Sequence, residues 1–172
     1  MFAVPLNSQN LPYPDPLHPI VVHFVIGMVL FSFVCDVLGY FTRNARLFEV
    51  GFWNMFVGAI AIFVAIIFGQ FEAGLAQVYP AVQPTLNFHT IMGWSLGAIV
   101  AAITAWRFAI RHRLRRGQHN PNLLKVPPAY LGVATFLICL VCLQIYLGSK
   151  LFWVYGLHVE PVVQAMKHGV SP

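Results

Sequence analysis

The chain has 172 residues, 59% of them hydrophobic and 9% charged, with a net charge of +5 and a mean hydropathy of +0.74. A soluble domain carries about 25% charged residues, so most of this surface is expected to lie against lipid, with about four spans of roughly 20 residues and no separate soluble domain. The basic balance does not argue for nucleic acid, because most of the positive residues fall in two loops, where membrane topology accounts for them.

Residues 1–16 contain four prolines and no Lys or Arg. They read as an extended segment, with neither the basic nor the apolar region of a cleaved signal. The first span is expected at about 20–41, opened by Pro19 in a first turn, where its missing N–H costs nothing. Asp36 is its only acid, expected to pair with Arg43 or Arg107. The second span, about 49–71, carries Gly58, Ala61, Ala65 and Gly69 at helical spacing, which suits close packing. A loop with Pro80 and Pro84 leads to a third span at about 88–108, which ends in an arginine-rich run. The fourth span is expected at about 129–148, and 149–172 reads as an interfacial tail broken by Pro161. The fold class is thus an all-α integral membrane four-helix bundle built from 17–148.

Arg43, Arg46, Arg107, Arg111, Arg113, Arg115, Arg116 and Lys125 lie between spans one and two or after span three. The positive-inside rule assigns both loops to the cytoplasm and both termini to the other side. Asp15, Glu72 and Glu160 fall on that outer side. Cys35, Cys139 and Cys142 lie in apolar runs and read as small packing residues, since Cys139-x-x-Cys142 lacks the strand-to-helix turn of a redox motif.

Four histidines, His18, His23, His89 and His158, are expected near the outer face. His23 is followed four residues on by Gly27, and His89 by Gly93, each pair on one helix face. That recurrence suggests two helix pairs related by a twofold axis along the membrane normal. Ionisable residues inside spans are expensive and so are functional candidates. A haem iron takes two axial imidazoles from different helices, and a glycine one turn along makes room for the ring. His23 and His89 are the favoured metal-ligating pair, with Gly27 and Gly93 beside them and His18 and His158 in reserve. The alternatives are that these histidines cap helices or bond loop carbonyls, or that several of them hold copper or zinc. Against the last, His18 and His23 are about 140° apart on a helix. Gln144 is a candidate for a helix neighbour or a quinone headgroup. No G-x-S-x-G, H-E-x-x-H or phosphate loop is present.

The run Leu17-His18-Pro19-Ile20-Val21-Val22-His23-Phe24, with Gly27, Asp36, His89 and the closing stretch Gly148 to Val159, resembles the bacterial membrane family of domain of unknown function 2231. Val25 stands where that family usually has proline, and His158 where it more often has glycine. The resemblance implies four helices and, through members found beside or fused to c-type cytochrome or Rieske-type modules, electron transfer. The combined expectation is a membrane electron-transfer protein binding b-type haem, with quinone as a further cofactor candidate. It would be an accessory subunit more than a stand-alone enzyme, in a bacterial inner (or thylakoid) membrane. Its partners would be lipid, a larger redox complex or c-type cytochrome, and a further copy of itself. The alternative is a cofactor-free structural or assembly subunit.

Overall fold

The four apolar runs form four helices in the computed structural model, which describes residues 17–76, 78–117, 127–157 and 168–169, the side chains of 75 and 113–117 excepted. They are α1 (Leu17–Thr42), α2 (Ala45–Leu75), α3 (Gln83–Gly117) and α4 (Pro128–Trp153). Each is long and apolar enough to cross a membrane, and no strand occurs among the described residues. The protein is therefore a multi-pass membrane protein in contact with the bilayer. The N-terminal segment 1–16 and most of the C-terminal tail, His158 included, lie outside the described residues.

Every helix overruns its expected span. Hydropathy marks the stretch that lies in hydrocarbon about 30 Å thick, whereas 26 residues of α1 reach about 39 Å. The extra turns are polar or aromatic, as in Ser149–Trp153, expected in the tail but forming the last turn of α4. Pro19, Pro84 and Pro128 all fall in first turns, where helix N–H groups have no intrahelical acceptor anyway. Between α1 and α2 only Arg43 and Asn44 intervene. Arg43 takes a left-handed backbone (φ 56°), and the Asn44 side chain accepts from Arg46 N–H to cap α2.

The helices form a four-membered ring. α1 and α3 each pack on α2 and α4, and face each other across the diagonal. The inward face of α1 is Val22, Val25, Val29, Ser32, Asp36 and Gly39, alternating steps of three and four that keep one stripe inward. α2 answers with Gly51, Met55, Gly58, Ile62 and Ala65, α3 with Leu96, Val100, Ile103 and Arg107, and α4 with Tyr130, Ala134, Leu137 and Val141. The opposite face of α1, with Phe24, Phe31, Val34, Leu38 and Phe41, is exposed to lipid.

These stripes place polar groups at both ends of the ring. At the arginine end, Arg107 Nη2 donates to Asp36 Oδ1 (2.5 Å) and to the Phe48 carbonyl (2.9 Å), while Tyr130 O–H donates to Asp36 Oδ2 (2.7 Å). The guanidinium also lies 4.9 Å from the centroids of both the Phe48 and Tyr130 rings. Ser32 O–H donates to the Gly51 carbonyl (2.7 Å), and a Cβ on Gly51 would come within 2.7 Å of Asp36 Oδ1. All four helices thus meet around one buried carboxylate. Of the two arginines expected to pair with Asp36, the partner is Arg107, because Arg43 sits exposed in the turn.

Removing one member of a buried pair leaves an uncompensated charge. Asp36→Ala is expected to cost about 3–5 kcal/mol, and Asp36→Leu/Arg107→Leu much less than either single change. Unfolding of the detergent-solubilised variants, followed by tryptophan fluorescence, measures both.

A candidate site at the histidine end

The inward stripe of α1 extends upward from Val22 by four residues to His18. That of α3 extends from Leu96 through Gly93 to His89. His18 precedes Asp36 by eighteen residues, and His89 precedes Arg107 by the same interval. Asp36 and Arg107 touch, and eighteen residues make five turns, about 27 Å. Two parallel helices pinned at one level must therefore bring His18 and His89 to one level at the other end, across the diagonal.

Each ring rests on a glycine of the next helix. His18 fills the notch at Gly69 of α2, where a Cβ would lie 2.8 Å from Cε1, and its Nδ1–H donates to the Ala65 carbonyl (2.8 Å). His89 lies against Gly148 of α4, where a Cβ would come within 3.2 Å of Cε1, and its Nε2 is 3.3 Å from Gln144 Nε2. The same amide donates to the His89 carbonyl (3.1 Å). Gly93 sits beside Gln144, 3.4 Å from its Nε2 to a Cβ position.

The buried stripes of α1 and α3 correspond in a register different from the one expected from His-x-x-x-Gly. Matching His-x-x-x-Gly aligned His23 with His89; the buried stripes align His18 with His89 and Asp36 with Arg107. α2 and α4 follow with Gly51 and Tyr130, Gly58 and Leu137, Ala65 and Gln144, and Gly69 and Gly148 at matching positions. His23 falls off the stripe. It is exposed, its Nδ1–H donates to Pro19 O one turn back (2.6 Å), and Gly27 below it has nothing within 4 Å of a Cβ. His23 thus does not lie on the inward stripe of α1, whereas His18 does, as His89 does on α3. His158 lies outside the described residues. The residues that the sequence reading missed as neighbours are Ala65, Gly69 and Gly148, and extending the 3–4 stripe from Asp36 back to His18 would have pointed to them.

Above this level the α2–α3 connection packs on the end of α4. Tyr79, Val82, Leu151 and Leu157 form a second apolar cluster. Tyr79 O–H donates to the Tyr155 carbonyl, and Thr85 O–H to the Tyr155 phenol. Burial pushes the Tyr79 phenol above its ordinary pKa. Among the described residues no group of three or more His, Cys, Asp or Glu converges as metal ligands.

The structure is that of a four-helix membrane bundle, with an imidazole on each of α1 and α3 toward one end and a buried ion pair at the other. Residues 14–161 match the family described as "Predicted membrane protein (DUF2231)", and the chain belongs to that family. No curated protein and no solved structure matches it.

The notch at Gly69 gives a direct check. Gly69→Ala should displace the His18 ring from the Ala65 carbonyl and cost about 1–3 kcal/mol. Gly27→Ala, into open space, should be neutral or gain up to about 1 kcal/mol from helix propensity. Thermal unfolding of the two variants in the same detergent compares them.

Proposed function

We propose that the protein is a membrane electron-transfer subunit that binds a b-type haem between His18 and His89. The observation that carries this reading is that the inward stripes of two diagonally opposed helices each carry an imidazole eighteen residues from the buried Asp36–Arg107 contact. The Ala65 carbonyl accepts from His18 Nδ1–H, which makes Nε2 the basic nitrogen, the arrangement in which a histidine ligates metal while a carbonyl fixes its ring. At His18 the donor chemistry fits the group, which when bound would supply one-electron redox chemistry, and at His89 it fits once the Gln144 amide moves off Nε2. His18 and His89 would hold it, Gly69 and Gly148 would set the ring planes, and the α2–α3 connection would keep water from the site. His23 has no ligand role in this reading.

In the same reading the arginine end faces the cytoplasm, with Arg43 and Arg46 exposed there, and the histidine end meets its partners on the other side. Those partners are a larger redox complex, a c-type cytochrome or a quinol pool, in a bacterial inner or thylakoid membrane. A second reading, a cofactor-free structural or assembly subunit, is favoured by one feature: the His18–Ala65 and His89–Gln144 bonds already tie α1 to α2 and α3 to α4.

Optical spectra of protein purified from haem-replete cells, oxidised and then dithionite-reduced, separate the two. Haem ligation gives a Soret band with sharp reduced α and β bands, lost in His18→Ala and His89→Ala and kept in His23→Ala. A flat visible spectrum from folded protein, or bands that survive both substitutions, overturns the haem reading.

A further inference from the structure

The histidines on the inward stripes of α1 and α3 are held differently by the helices beside them. Where α2 has Ala65 and offers a backbone carbonyl to His18, α4 has Gln144 and offers a side chain to His89. The orientation of that amide is dictated by the His89 carbonyl, 3.1 Å away, which can only accept. The amide nitrogen must therefore face His89, and the same NH2 group meets His89 Nε2 at 3.3 Å. A donor facing Nε2 requires Nε2 to be the basic nitrogen, so the proton sits on Nδ1. The reverse tautomer would set N–H against N–H.

This arrangement has a cost. His89 Nδ1 and Gln144 Oε1 are both buried and lack a hydrogen-bond partner among the described residues. An orphaned buried polar atom in a native structure calls for an explanation, and here one side chain accounts for both. Gln144 spends its two N–H groups on the His89 carbonyl and Nε2, leaving its own oxygen and the opposite ring nitrogen unpaired. Carbonyls at Ala65 and Pro19 fix the other two histidines the same way, each accepting from Nδ1–H. Three imidazoles at this end are thus set as Nδ1–H tautomers by two devices, a backbone carbonyl at His18 and His23 and a side-chain amide at His89.

We infer that Gln144 is a positioning residue that fixes His89 as the Nδ1–H tautomer by donating to Nε2, so that Nε2 becomes a metal-ligating nitrogen only when the amide swings away from it. Its use toward an iron porphyrin rests on the function proposed above; the tautomer does not.

Long-range 15N–1H correlation spectra of 15N-histidine-labelled protein at pH 8 read the tautomer of each imidazole directly, with or without haem. The expected wild-type result is protonated Nδ1 at His18, His23 and His89. Gln144→Leu is expected to release His89 alone to the Nε2–H form and leave His18 unchanged; Gln144→Met serves as a second variant of similar length. A wild-type His89 carrying its proton on Nε2 overturns the inference without recourse to any variant. So does a His89 that stays Nδ1–H in folded Gln144→Leu and Gln144→Met. A flat optical spectrum alongside the expected tautomers removes the haem reading and leaves the role of Gln144 standing.

Discussion

The contact between Asp36 and Arg107 is the constraint from which the rest of the bundle is set. It joins α1 to α3 across the diagonal, where the helices themselves do not pack. Tyr130 brings in α4 through the second carboxylate oxygen, and the Phe48 carbonyl brings in α2. Transferring two charges out of water is expensive, and such a pair often contributes little net stability over well-packed apolar residues. Its value here is registry. Lipid-facing leucines and phenylalanines can slide past one another at little cost, whereas a guanidinium bonded to one carboxylate and one carbonyl has a single seat.

Registry then propagates along rigid helices. Because His18 and Asp36 lie on one stripe of α1, and His89 and Arg107 on one stripe of α3, a fixed level at one end fixes it at the other. Glycines adjust the spacing between helices: Gly51 admits the Asp36 carboxylate, Gly58 seats Met28 and Val29, and Gly69 seats the His18 ring. Small residues at such positions are how membrane helices approach without a hydrophobic drive between them. The two stripes are chemically complementary at their far end, since the acid of α1 meets the base of α3.

The four spans were legible because unbroken apolar runs have one explanation in a chain this poor in charge. Helix ends were not, since the bilayer sets hydropathy while capping and proline set the helix. Arg107 was legible as one of two partners for Asp36. The choice between His18 and His23 depended on which stripe faces inward. A four-residue spacing between His23 and Gly27 shows that they share a face, but not whether that face meets protein or lipid. Asp36 held the answer, because a carboxylate in a span must point inward and His18 lies on its stripe. Gln144 was visible as a polar residue in the fourth span. Its contact with His89 needs the register between α3 and α4, which no local pattern encodes.

The distribution of partners also bears on how the chain is assembled during synthesis. The two-residue connection and the close glycine seats let α1 and α2 form a hairpin as soon as both have emerged. That hairpin carries an acid whose base lies 71 residues further along. Until α3 enters the membrane, Asp36 sits in an apolar setting with only Ser32 and the α2 backbone around it, and Tyr130 arrives later still. The N-terminal half is thus insertable but incomplete. Quality control that senses an unneutralised intramembrane charge would retain truncated or stalled chains and release only those that have received their arginine.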